Sequence, residues 1–257
     1  MSVLRAIVSA LALFTRIPMP PLNWEKANMR HTLAALPLVG VLVAALLWLW
    51  LAACNALGLH TLLFAAGLAL VPVLVTGGIH LDGYCDTVDA LSSHAPLEKK
   101  REILKDPHAG AFAVIGVAVY LVAYVAFCSE LEQSLATVLL LGAAAVMSRA
   151  LGAFACLVFS PSEGKGLMST LRDASAKTGA IVCACWFILA GVGALVLDWR
   201  CAIAIIVVAV LVTAYVRNMS KRLFGGMSGD LAGYLIQLVE LGAVVALVVV
   251  EKVVVLL

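Results

Sequence analysis

Three aspartates, Asp82, Asp86 and Asp89, stand within eight residues, in the stretch HLDGYCDTVDAL of a 257-residue chain in which only 12% of residues are charged. On an α-helix these positions are i, i+4 and i+7, and at about 100° per residue they fall within an arc of roughly 60°. All three carboxylates then face one point. Like charges that close repel and raise one another's pKa unless a cation lies between them, so a hard divalent ion is the economical partner. Mg²⁺ suits such a set, because it accepts a few carboxylates and leaves its other positions to water and phosphate oxygens. The plainer reading is a solvated helix face with Lys99, Lys100 and Arg101 as partners. Two features weigh against it. Gly77, Gly78 and Gly83 allow close approach of backbone or ligand, and apolar residues interleave with the acids as in a half-buried helix.

Further polar residues fall at the ends of apolar runs. In ILKDPHAGAFAV, Asp106-Pro107 is either a helix stop or part of a ligand site, and Lys105, Asp106 and His108 lie beside the aspartate stretch. Arg149 interrupts an apolar run, where a guanidinium must pair with a carboxylate or line a wet cavity, and a phosphate-bearing substrate would supply the pairing. Arg217, Lys221 and Arg222 lead into Gly225-Gly226-Met227-Ser228-Gly229-Asp230. A glycine-rich turn entering a helix N-terminus presents N–H groups suited to phosphate, and Asp230 is either a helix-start carboxylate or a fourth metal ligand. The candidate metal ligands and catalytic carboxylates are therefore Asp82, Asp86, Asp89 and Asp230. The candidate substrate-binding residues are His80, Lys105, Asp106, His108, Arg149, Arg217, Lys221, Arg222, Gly225, Gly226 and Ser228.

The elements that must position these residues are membrane helices. Hydrophobic residues make up 64% of the chain, whereas an ordinary soluble domain carries about 25% charged residues. Apolar runs long enough for a hydrocarbon core of about 30 Å recur throughout. Seven spans are expected, at about 33–54, 61–79, 111–128, 134–158, 179–197, 201–216 and 231–250, with the sixth the shortest. The fold class is thus an all-α polytopic bundle, one integral membrane domain over 1–257, with an interfacial segment over 1–32 and an active-site loop over 80–110. Segments on alternate sides of these spans hold 14 of the 17 Lys and Arg residues, which places the N-terminus and the long polar loops in the cytoplasm. The remaining three are Arg149, Arg200 and Lys252.

The opening MSVLRAIVSALALFTRIPMPP has a short apolar run but no small-residue cleavage site, and reads as an amphipathic interfacial helix rather than a signal peptide. Seven cysteines without CxxC spacing serve as small hydrophobes. A net charge of +2 with no basic stripe excludes nucleic acid as a partner. The apolar surface places the chain in a bilayer, and permits a homodimer without requiring one.

GGIHLDGYCDTVDAL, ILKDPHAGAFAVIGV and GGMSGDLAGY, in this order and in this pattern of spans, resemble the cobalamin-5'-phosphate synthase family, also called adenosylcobinamide-GDP ribazoletransferases. FTRIPMP is similar to that family's opening, so the resemblance runs from about residue 8 to 240. Departures are Cys85 and Ala90-Leu91 around the aspartates, Ser228 in place of Thr, and His108 where a basic side chain would be looked for. The resemblance implies attack of an α-ribazole hydroxyl (or that of its 5'-phosphate) on GDP-activated adenosylcobinamide at the inner membrane, with GMP leaving and Mg²⁺ required. It implies that Asp82 and Asp86 hold the metal, that Asp89 is a ligand or the base, that Asp230 completes the shell or replaces Asp89, and that Arg149, Arg217, Lys221 and Arg222 bind phosphate. Two rivals are weighed. CDP-alcohol phosphotransferases also use clustered aspartates but carry an Ala-Arg pair that YCDTVDAL lacks. A cation-coupled transporter would place its acids near the midplane rather than at one rim.

Overall fold

The computed structural model describes residues 3–20, 31–162, 171 and 176–256. Lys26, Arg30, Lys165 and Arg172, which enter the charge distribution above, lie outside the described residues. The described chain is α-helical, and its one bridge outside helices joins Pro161 to Met227.

α1 (Val3–Phe14) buries Ala6, Ser9, Ala10 and Phe14, one stripe at helical spacing, and exposes Val3, Leu4 and Arg5. This is the geometry of a helix laid along a surface, and the stripe packs against α2. A 3₁₀ turn at Leu33–Ala35 leads into α2 (Leu36–Leu57), with Pro37 in its first turn, where no backbone donor is needed. α3 (Thr61–Thr76) follows, then α4 (Ile79–Ser92), α5 (Leu97–Ile103), α6 (Ala111–Cys128), α7 (Leu135–Val158), α8 (Ala176–Leu197), α9 (Trp199–Phe224) and α10 (Gly229–Leu256).

Six of these helices are long and apolar enough to cross a membrane. The second expected span, 61–79, is interrupted. α3 stops at Thr76, Gly77 and Gly78 both take left-handed backbone, and α4 leaves at 97° to α3. A chain crossing along α3 therefore lays α4 across the end of the bundle instead of along the membrane normal. The aspartate stretch expected in a loop is this helix.

The sixth span is also corrected. It was expected to be the shortest, over 201–216, but α9 has 26 residues and runs from Trp199 to Phe224. Asp198 starts it by accepting from the Arg200 and Cys201 N–H groups. Nothing after residue 216 breaks a helix until Gly225, so Arg217, Lys221 and Arg222 stand on its last two turns, not in a loop.

α7 is the centre, packing on α2, α8, α9 and α10. Small residues bring the backbones together where apolar attraction between helices is weak in lipid. A Cβ on Gly40 would lie 2.6 Å from the Ala145 carbonyl oxygen, and one on Gly142 would lie 2.7 Å from the Ala44 Cβ. At α7 mid-height Arg149, fully buried, pairs with Glu240 of α10, and Ser148 donates to the same carboxylate. The pair sets opposite charges together where water cannot reach, through Arg149 Nη1, while the buried Arg149 Nε has no hydrogen-bond partner among the described residues.

Candidate functional site at the α4 and α10 crossing

α4 is anchored on three sides. Near its start His80 stacks on Phe14 of α1, with ring centroids 6.2 Å apart. In its middle Tyr84 stacks on Tyr234 of α10 at 5.4 Å and leans on Tyr120 of α6 at 5.0 Å. At its end the buried Lys100 Nζ donates to the Ala90 and Leu91 carbonyls, closing groups that the helix leaves open. With α4 so held, Asp82 is exposed and Asp86 and Asp89 are half-buried.

The fourth carboxylate arrives across a glycine contact. A Cβ on Gly83 would lie 2.6 Å from the Asp230 carbonyl oxygen and 2.8 Å from its Cα, and one on Gly233 would lie 2.8 Å from the His80 carbonyl oxygen. The first turn of α10 thus lies directly on α4, between Asp82 and Asp86 in sequence. Gly110, at the start of α6, lies so close to the Asp89 carboxylate that a Cβ there would collide with it. The expected consequence of Gly83→Ala is a backbone clash that no side chain can relieve. It should lower unfolding stability by about 1–3 kcal/mol, the usual range for overpacking, and separate Asp230 from α4. Thermal unfolding in detergent measures the first effect and divalent-ion binding the second.

Electrostatics confirm that the acids sense one another. Burial first, then Asp82, Asp230 and Asp89 in that order, push the Asp86 carboxyl up from 3.8 to about 6. None of the four is ion-paired to another described residue. A carboxyl raised on folding contributes stability that is fully present below its unfolded value and is lost as the pH rises through the folded one. In chelator, the protein is therefore expected to melt at a higher temperature near pH 4.5 than near pH 7, with the difference reduced in Asp86→Asn. An unchanged difference in that variant would contradict the assignment to Asp86.

Among the described residues, no three of the His, Cys, Asp and Glu side chains stand close enough to enclose a metal ion by themselves. The four-aspartate shell expected from the sequence is therefore not closed. The donor set fits an ion that takes one or two carboxylates and fills its remaining positions with water and phosphate oxygens, which is the habit of Mg²⁺. The repulsion at Asp86 is the charge pattern such a cation would quench.

Beside Asp82 an open groove of about 590 Å³ runs along the elbow and α6, with Gly77, Gly78, Ile79, Cys85 and Val117 among its walls. Its lining is mostly apolar, and Asp82 is its one charged group among the described residues.

The other sequence candidates divide. Asp106 builds a turn: its Oδ1 accepts from the His108 N–H at 3.0 Å and meets His108 Nδ1 at 2.8 Å, and these bonds hold its carboxyl below the usual range. Asp106, His108 and Lys105 are exposed on the loop that reaches Asp89 through Gly110. Ser228 begins α10, its hydroxyl accepting from the Leu231 N–H. Gly225 and Gly226 are turn formers rather than a phosphate cradle. Their N–H groups both donate to the Ser220 carbonyl, Met227 N–H donates to Ser160, and a Cβ on Gly226 would strike the Pro161 backbone. Arg217 lies over the Phe159 ring at 5.3 Å, and it, Lys221 and Arg222 are exposed at the end of α9.

Two candidates are not brought to the open face. His80 is buried against Phe14 of α1, with ring centroids 6.2 Å apart. Arg149 belongs to the interior pair with Glu240, so the substrate phosphate expected as its partner is replaced by a carboxylate of the chain. Sequence reasoning missed Glu240, which is the acid in the middle of the last span. Arg101, read from the sequence as a partner for the aspartates, instead donates from Nε to the Phe224 carbonyl at 2.7 Å, and its guanidinium covers Gly225.

An apolar bundle with carboxylates, exposed basic side chains and a groove gathered at one end defines a polytopic membrane protein with a polar site at its rim. The family comparison gives the particular kind: the chain belongs to the Cobalamin-5-phosphate synthase family, whose sequence model matches residues 6–248. It is an enzyme of cobalamin assembly. It is 34% identical over 253 residues to the adenosylcobinamide-GDP ribazoletransferase of Lachnoclostridium phytofermentans, covering 98% of this chain and 96% of that one. It is 35% identical over 215 residues to the protein of the same name from Pseudomonas putida, covering 82% and 84%. A Clostridium perfringens relative with that name is 29% identical over 245 residues, covering 95% of this chain and 97% of its own. No solved structure matches the chain.

Proposed function

We propose that this chain joins GDP-activated adenosylcobinamide to α-ribazole or its 5'-phosphate at the cytoplasmic face of the bacterial inner membrane, using the carboxylates at the α4 and α10 crossing. The observation that carries the reading is the contact of Gly83 with the Asp230 backbone, which sets a fourth carboxylate beside the three on α4. Family membership and the names of the relatives support the substrates. The distribution of 14 of 17 basic residues on alternate segments supports the cytoplasmic side.

In the reaction a bond forms between a ribose oxygen of the acceptor and the phosphorus attached to cobinamide. The bond from that phosphorus to the bridging oxygen breaks, and GMP leaves with the electron pair. Asp82 and Asp86 are the residues to hold Mg²⁺, which when bound supplies charge stabilisation at the diphosphate oxygens. In this reading Asp89, half-buried beside Gly110, takes the proton of the attacking hydroxyl, and Asp230 either shares that duty or completes the cation's surroundings. Lys105, Arg217, Lys221 and Arg222 are exposed cations for nucleotide or ribazole phosphates. The groove beside Asp82 offers apolar wall to the rest of the substrate.

The test is substrate choice by the detergent-purified chain with Mg²⁺. GMP should appear in step with a corrinoid product whose mass gains the ribazole moiety, and only when the acceptor is present. CMP release from CDP-alcohols, with no GMP from the cobinamide donor, would replace this reading by that of a CDP-alcohol phosphotransferase.

A further inference from the structure

Arg16 has no place in the machinery described so far, yet the structure holds it at the groove. α1 ends at Phe14, and the Thr15 hydroxyl fastens the next turn by donating to the Leu11 carbonyl at 2.6 Å and accepting from the Ile17 N–H at 3.2 Å. Arg16 N–H then donates to the Val75 carbonyl at 2.9 Å, near the last turn of α3. Phe14 packs on His80 of α4, so the segment is tied to both arms of the elbow. The Arg16 side chain lies over Gly77. A Cβ there would be 2.6 Å from Arg16 Cγ, 3.1 Å from Cδ and 3.3 Å from Nε.

Gly77 is therefore glycine for two reasons, its left-handed φ of 66° and the arginine stem above it. It is also a wall of the groove that contains Asp82. Arg16 is exposed, and it forms no ion pair with another described residue, Asp82 included. A guanidinium fixed by its backbone and stem, with no anion among the described residues paired to it, is prepared for an anion from outside. Its planar donor fork matches phosphate oxygens in pairs.

We infer that Arg16 binds the diphosphate of the nucleotide-activated substrate at the mouth of the groove, on the side opposite the carboxylates' demand for a cation. The inference rests on the proposed function for the identity of the substrate, but not for the anion chemistry. A diphosphate between a carboxylate-held cation and a guanidinium has positive charge on both flanks. This arrangement also gives α1 a purpose: it carries a charge to the elbow that α3 and α4, with no Lys or Arg between them, do not supply.

The experiment uses the full chain in detergent, with inorganic pyrophosphate and Mg²⁺ as the probe, and compares wild type with Arg16→Gln and Arg16→Lys. Wild type should melt at a higher temperature as pyrophosphate is added. Arg16→Gln should need about tenfold more pyrophosphate for the same shift, and should show a similar rise in KM for the GDP-activated donor with a much smaller change in kcat, as expected when a bidentate charged contact is lost. Arg16→Lys should recover part of both. If wild type turns over donor and Arg16→Gln keeps the wild-type KM and pyrophosphate response, the inference is overturned while the proposed function stands. If wild type shows no turnover but its pyrophosphate response depends on Arg16, the substrate reading fails and this inference survives. A Gln variant that melts earlier without pyrophosphate yet responds to it as wild type does would reduce Arg16 to an anchor for α1, and would also overturn it.

Discussion

Asp82→Asn is expected to lower the rate of GMP release by at least ~100-fold while leaving the protein folded. Asp82 is the exposed carboxylate of α4 and the charged wall of the groove, so its loss removes no buried contact. If it is one of the two groups that hold Mg²⁺ against the diphosphate, the loss is several kcal/mol of charge stabilisation, and each 1.36 kcal/mol is about tenfold in rate. Asp106→Asn is the informative control. That side chain makes a turn with His108 at the surface, and an amide oxygen can accept the same N–H, so its effect on the rate should be below about threefold, as for a surface substitution that leaves the reacting groups alone. Equal losses in the two variants, measured as single-turnover GMP release, would show that the loop and not α4 carries the chemistry.

The second large effect is on stability. Removing one member of the Arg149 and Glu240 pair strands a charge in the bundle interior, and such losses are about 3–5 kcal/mol. Arg149→Met and Glu240→Leu are each expected to lower unfolding stability by that order. The double variant should recover most of it, because two apolar side chains of similar volume leave nothing uncompensated. Thermal unfolding of the three proteins in one detergent gives the coupling directly. The same set tests the role of Arg149. As an interior strut it leaves the double variant active once folded; as a phosphate ligand it would leave the double variant as inactive as Arg149→Met.

These expectations show which parts of the molecule were legible in its sequence. Apolar runs located the spans because hydrocarbon thickness fixes their length. The aspartate helix was legible because i, i+4, i+7 spacing has one meaning on a helix. The Gly77-Gly78 elbow was not, since two glycines after an apolar run permit a turn of any angle, and the 97° bend accompanies long-range packing of α4 on α6 and α10, where Tyr84 meets Tyr120 and Tyr234. The length of α9 was obscured because apolarity stops near residue 216 while helix-forming side chains continue to Phe224. Arg149 was correctly seen to need an anion. Its choice of Glu240, 91 residues away, depends on how α7 and α10 stand side by side, which no local pattern encodes. Gly225 and Gly226 have the composition of a phosphate loop, but only the Ser220 carbonyl, which accepts from both, reveals that their N–H groups are already occupied. Gly83 was expected to allow a close approach, and the partner proves to be the first turn of α10.

We propose that the carboxylates of α4 and α10 form one cation-dependent site for a diphosphate substrate. It is tested most directly by following GMP and the corrinoid product while Mg²⁺ is titrated into chelator-treated wild type and Asp86→Asn in the presence of donor and acceptor. No product is expected without the ion, with saturable recovery in wild type and a half-saturating Mg²⁺ concentration raised by roughly tenfold or more in the variant, the scale of losing one of few ligands. Full turnover in chelator, or identical Mg²⁺ curves for the two proteins, would contradict it.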